Sequence, residues 1–302
     1  MSPTGVDGLR AALVSAGAAL VVAGVALCWA LAEPEPSAVA GAVSIAAVSL
    51  LLGLGALPFL DARPSLIAIA VTAGVWGIAS VLDGWLQVAQ NLGVSPWAVR
   101  VGDVTTGLES GLPVLIGLVG AVAILGWTFA AMRGDPPVPV VAVIAGVGVL
   151  ALSVTGHGTD SAWIPVVLGV HSLSAAWWAG TLAALVVTVR GKGGWARSLP
   201  EFSRWALPAV GALTVTGVVV ALVQVGVGPQ LWATGYGRIV LAKTVLLIVV
   251  LGLAAWHRRS WVPRARRHGV SERESITRAG TELLLLSVVL GLAAGLATTA
   301  TG

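Results

Sequence analysis

Apolar residues run almost unbroken along this chain in stretches of about 20, the length that spans a bilayer core as a helix. Nine such stretches stand out, near residues 9–31, 37–60, 64–90, 108–131, 138–156, 163–189, 205–227, 237–256 and 277–299. The runs are continuous and too long for barrel strands, whose lumen-facing positions would alternate with polar residues. The pattern therefore predicts an all-α polytopic integral membrane bundle of about nine transmembrane helices. Residues 9–31 are expected to be a first span rather than a cleaved leader, because the run exceeds a usual leader core and leads directly into another span. An eight-span reading would require one of the first four runs to be lateral or re-entrant.

Composition agrees with the pattern. Of 302 residues, 57% are hydrophobic and 10% charged, and mean hydropathy is +0.95; a soluble domain would carry about 25% charged residues. The 39 glycines and the abundance of Ala, Val and Leu predict close helix packing through small residues. Cys28 is the only cysteine, which excludes an internal disulfide and any paired-cysteine motif. Two methionines, Met1 and Met132, exclude a methionine-rich soft-metal path.

Charge fixes the expected orientation. With the N-terminus inside, the inner segments collect Arg10, Arg63, Arg133, the group from Arg190 to Arg204 and the group from Arg258 to Arg278, which is 14 of the 17 basic residues. That bias predicts N inside and C outside. The same bias accounts for the basic pI of 10.2 without nucleic acid. The segment 190–204 is read as an inner loop, and 257–276 as an inner anchor with a short interfacial helix. Trp29, Trp97, Trp163, Trp195, Trp232, Trp256 and Trp261 fall near predicted ends and are expected at the membrane interfaces. No linker divides the chain. Residues 1–150 supply about four spans and the start of the fifth, and 151–302 the rest of one continuous membrane domain.

Ionisable groups inside spans are costly and mark sites by default. Asp83 lies in the third span, Asp103 and Glu109 precede or open the fourth, His157 closes the fifth and Asp160 follows it. His171 enters the sixth by roughly 12 Å and Lys243 the eighth by about 9 Å, at 1.5 Å per residue. Together with Tyr236 and Arg238 these residues predict a polar cluster in the outer half, with Lys243 meeting Asp83, Asp103 or Glu109. His157, His171 and Asp160 are the candidate metal ligands, imidazole being suited to copper. On the inner side, Arg278 and Glu282 are four residues apart and are expected to form a structural ion pair. Nucleotide and hydrolase motifs are absent, so no nucleotide is expected and an enzyme is less expected than a carrier.

Several segments carry a resemblance: TGHG at 155–158, HSLSAAWWAG at 171–180, FSRWALPAV at 202–210 with TG at 216–217, LWATGYGRIVLAKTVL at 231–246 and TRAGTELLLLSVV at 277–289. In order and spacing they resemble the copper resistance D family over residues 150–300. The resemblance implies a multi-pass protein of the bacterial cytoplasmic membrane that handles copper, with uptake from the outer face and an outer-face copper-binding protein as partner. It places His157, His171, Trp178, Gly180, Tyr236, Gly237, Arg238, Lys243 and Glu282 at the family's characteristic positions. Two other functions compete with copper passage. One is a haem-binding redox protein with His171 axial and Arg238 or Lys243 at the propionates. The other is an accessory or assembly subunit of a membrane complex, its surface shared between the lipid bilayer and that partner.

Overall fold

The computed structural model describes residues 3–106, 108–154, 163–226 and 228–299; His157 and Asp160 lie outside them. Twelve α-helices occur among the described residues: α1 (Pro3–Leu31), α2 (Ala38–Ala56), α3 (Leu66–Leu92), α4 (Val101–Thr106), α5 (Leu108–Ala131), α6 (Pro139–Val154), α7 (Ile164–Thr188), α8 (Gly191–Gln224), α9 (Gln230–Ala233), α10 (Gly235–Ser260), α11 (Val262–Arg266) and α12 (Glu272–Ala297). Eight are long and apolar enough to cross a membrane: α1, α2 with its 3₁₀ extension to Leu60, α3, α5, α7, α8, α10 with α11, and α12. The fifth expected span is α6, whose 16 residues reach about 24 Å, short of a bilayer core of about 30 Å. The protein is an all-α polytopic membrane bundle.

Helix ends follow local chemistry. Ser65 Oγ accepts from the Ala68 N–H at the start of α3, and Gly93, at φ 63°, closes it. Thr234 Oγ1 accepts from Gly237 N–H at the start of α10 (3.0 Å). Ser271 Oγ accepts from Glu274 N–H at the start of α12 (3.1 Å). In α12 the carboxylates of Glu272 and Glu274 also complement the positive end of the helix.

α2 is the central helix. It packs against α7, α3, α6, α12 and α1, while α1 pairs with α12 and α3 with α5. Its contact with α7 is backbone on backbone: a Cβ on Gly53 would collide with the Gly180 carbonyl, and one on Gly180 with the Ser49 carbonyl. Small residues permit this approach, which supplies dispersion contact where lipid removes the hydrophobic drive. At the other extreme, 6% of the most apolar stretch of α8 and 11% of that of α10 is buried, against 67% for α2. α8 leans on α7 and α10 on α12, so both form the rim of the bundle.

Two expectations are corrected. Residues 190–204 are not a loop, since α8 starts at Gly191 and runs through them. Trp195, Leu199 and Phe202 recur at helical spacing on one buried face, and this segment packs on α11. Trp195 and Trp261 are 1% and 2% exposed and meet at 5.9 Å between ring centroids, so they belong to the core rather than an interfacial belt. Trp29, Trp97, Trp163, Trp232 and Trp256 are exposed. The expected short inner helix is α11.

Candidate functional site

The basic ends of the helices are tied together by Arg10. Its guanidinium, 5% exposed, donates to the carbonyls of Val186 and Val189, where α7 ends, and pairs with Glu272 at the start of α12. Terminal carbonyls lack intrahelical donors and carry the negative end of the helix dipole, so a buried cation is stabilised there. Arg10 thus joins α1, α7 and α12 and does more than bias orientation.

His171 lies half-buried on α7 and faces α8. Its Nδ1 is 3.2 Å from Thr216 Oγ1, and the Thr216 hydroxyl, which has a single proton, lies 2.6 Å from the Ala212 carbonyl, to which it donates. With its own proton on Ala212, Thr216 Oγ1 offers the ring an acceptor at Nδ1, and the Leu213 carbonyl is a second acceptor beside the imidazole. Gly217 leaves space for the ring, since a Cβ there would stand 3.1 Å from His171 Cε1. Lys243, on α10, is the charged side chain whose field reaches this ring.

α8 and α10 are joined by side chains at two levels. At one end Tyr236 Oη donates to Gln224 Oε1. At the basic end Arg258 Nη1 donates to the Ser203 carbonyl and to Ser203 Oγ, the latter at 2.9 Å. Between these levels no hydrogen bond or ion pair links the two helices among the described residues, and His171, Thr216 and Lys243 occupy that interval.

The expected outer cluster is divided. Asp83 on α3 accepts a hydrogen bond from Gln87, lies near Glu35 and faces Gly41 of α2, where a Cβ would come within 3.3 Å. α3 packs on α2, α5 and α4, whereas α10 packs on α12, α9, α11 and α1. Asp83 and Lys243 consequently form no ion pair; the sequence places them at similar depth, but the bundle puts them on different sides. Asp103 Oδ2 accepts from Arg100 N–H (2.8 Å) at the start of α4, and Glu109 falls in the first turn of α5. Arg238 donates from Nε and Nη2 to the Leu31 carbonyl at the end of α1 (3.0 and 2.7 Å). Cys28 is fully buried against Leu292 and Gly295 and packs as a small apolar residue.

The Arg278–Glu282 pair is also corrected. Arg278 turns to Glu274, one turn the other way (2.9 Å), and Glu282 Oε2 lies 3.2 Å from His257 Nδ1. Both carboxylates are four residues from Arg278, so spacing alone leaves the choice open; helix orientation decides it, with Glu282 facing α10. Sequence reading missed His257, whose signal was an ionisable residue in the last turn of a span beside a carboxylate lacking a settled partner. Thr216, Gln224 and Ser203 were also missed, since uncharged polar residues are common in membrane helices. Among the described residues no three His, Cys, Asp or Glu side chains converge as a metal cluster.

These helices and buried polar groups define a polytopic helical membrane protein with ionisable side chains held inside its span. Residues 196–296, about a third of the chain, match the family described as Copper resistance protein D. That stretch contains Thr216, Gln224, Tyr236, Lys243, His257 and Glu282. The chain is also similar to the copper transport protein CutJ of Bacillus subtilis (strain 168), with 29% identity over 133 residues, 40% of this chain and 24% of that protein. It thus spans about a quarter of the length of that curated relative. No solved structure matches it.

Proposed function

We propose that this chain carries copper ions across the bacterial cytoplasmic membrane, with net uptake from the outer face and the N-terminus inside. The observation that carries the reading is that the stretch matching Copper resistance protein D holds the polar groups along the α8–α10 boundary, next to His171.

In this reading His171 Nε2 is the station for copper within the membrane. The Nδ1–H is then held on Thr216, which fixes the tautomer and ring direction, as outer hydrogen bonds do for metal-ligating histidines. A single imidazole binds without a permanent charge, and the weak site it makes suits an ion that must leave as readily as it enters. Lys243 opposes tight retention of a cation there. His157 and Asp160 are assigned capture at the outer mouth, and an outer-face copper-binding protein would supply the ion. Tyr236–Gln224 and Arg258–Ser203 close the two ends of the route, and their opening admits and releases copper.

The test is copper uptake into proteoliposomes, with lumenal metal measured directly in both oxidation states. The parent is expected to accumulate copper, and His171→Ala, folded and inserted equally, to lose most of that flux. No uptake by the parent in either state overturns the reading; equal uptake by His171→Ala rejects the His171 route.

A further inference from the structure

Where α2 turns into α3, on the side that the basic bias assigns to the cytoplasm, the bundle leaves a cavity of about 700 Å³. Its walls come from three separate stretches: the 58–66 turn, the end of α5 with the turn into α6, and the start of α8. Local bonds fix this frame. The Asp61 and Ala62 N–H groups donate to the Pro58 and Leu57 carbonyls, Gly134 N–H donates to the Ala130 carbonyl, and Val141 N–H to that of Val138 at the entry of α6. Arg197 rides on a segment of α8 held by buried Trp195, Ser198 and Leu199. A volume in this range, lined by apolar walls and a few polar groups on a fixed frame, is the form of a small-ligand site.

Asp61, Arg63, Asp135 and Arg197 line the cavity, and among the described residues none of their side chains takes part in an ion pair or hydrogen bond. Trp127 forms another wall and carries a buried Nε1–H that has no acceptor, which few buried donors lack. Arg133, at the same end of α5, lies over the Phe129 ring at 3.7 Å and is not part of the lining. Two positive and two negative groups thus face the cavity. A lone anion would meet Asp61 and Asp135, and a lone cation would meet Arg63 and Arg197; a ligand carrying both signs finds a partner for each. Pro58, Leu66 and Ala131 supply apolar wall, and the residues that follow them in sequence, Phe59, Ile67 and Met132, are exposed as a lipid-facing surface would be.

We infer that this cavity binds a phosphoethanolamine group, the zwitterion that joins a phosphate to a primary ammonium. The two guanidiniums and the Trp127 N–H supply donors for several phosphate oxygens, a task to which the planar fork of arginine is suited. Asp61 and Asp135 accept from the ammonium, whose N–H donors are missing from a quaternary choline and from a glycerol headgroup. The apolar surface beside the cavity favours the lipid form of this group, phosphatidylethanolamine of the adjacent leaflet, over the free compound. The site shares no residue with the proposed copper route and does not depend on it.

The experiment is native mass spectrometry of the full chain in mild detergent, offered equal amounts of phosphatidylethanolamine, phosphatidylglycerol and phosphatidylcholine. The parent should retain phosphatidylethanolamine over both others. Arg63→Gln and Arg197→Gln should each lower that retention about tenfold, the size of one charged hydrogen bond, and Asp135→Asn should remove the preference over phosphatidylglycerol. Arg133→Gln, outside the cavity, should leave retention unchanged. All four residues are exposed, so these exchanges keep the packing of the bundle. Free phosphoethanolamine is then added: lipid that stays bound supports the lipid source, and displaced lipid supports a soluble ligand of the same chemistry. Equal retention of the three lipids, a preference for phosphatidylglycerol, or a loss in Arg133→Gln as large as in Arg63→Gln overturns the site.

Discussion

At the residue scale, the chain's polar side chains are held by geometry that charge counting does not reveal. His171 was legible as a candidate, because an ionisable residue within an apolar run is conspicuous. Its hydrogen-bond partner was not, because Thr216 lies 45 positions away in sequence. Thr216→Val keeps the shape and removes the hydroxyl, so apparent copper affinity should fall about 10-fold, the lower end for loss of an outer-shell partner; equilibrium copper binding measures this. Arg10 was legible as a topological charge but not as the cap of α7. Arg10→Met leaves the terminal carbonyls and Glu272 without their donor, and should cost about 3–5 kcal/mol, read as a lower midpoint of thermal unfolding in detergent. Gly180 is a position where the backbone of α2 fills the space of a side chain. Gly180→Val should lower that midpoint as well, by an overpacking cost of about 1–3 kcal/mol or more.

At the element scale, helix existence was readable from apolar runs, and helix ends were readable where a cap or left-handed glycine supplied a signal, as at Ser65 and Gly93. The start of α8 was not. Lys192, Arg197 and Arg204 made residues 190–204 look like a loop, although Trp195, Leu199 and Phe202 already shared a helical face. Single cysteines through this segment distinguish the two readings: positions 192, 197 and 204 should label rapidly and 195, 199 and 202 slowly. Uniform labelling would return the segment to a loop. The same reasoning explains the misread pair at Arg278, where two carboxylates at equal spacing compete and only the packing of α12 on α10 selects between them.

At the scale of the whole molecule, the sequence defined the class of fold and left its arrangement open. Hydropathy finds spans but not neighbours, which is why Asp83 and Lys243 were grouped and the structure separates them. The bundle has a tightly packed centre on α2 and a looser rim formed by α8 and α10, and the candidate route follows the rim. Orientation rests on the basic bias: a cysteine at the exposed position 267 should label only from the inner side, and labelling only from outside would invert the direction assigned to uptake. The proposed role of His171 has a direct spectroscopic test. Copper(I) is diamagnetic, so ¹⁵N-histidine spectra of the reconstituted protein can be recorded with and without it, and His171→Ala assigns the signal. The His171 Nε2 resonance should shift on copper addition while Nδ1 remains protonated on Thr216. A His171 ring whose two nitrogens are unchanged by saturating copper would contradict copper binding at this site.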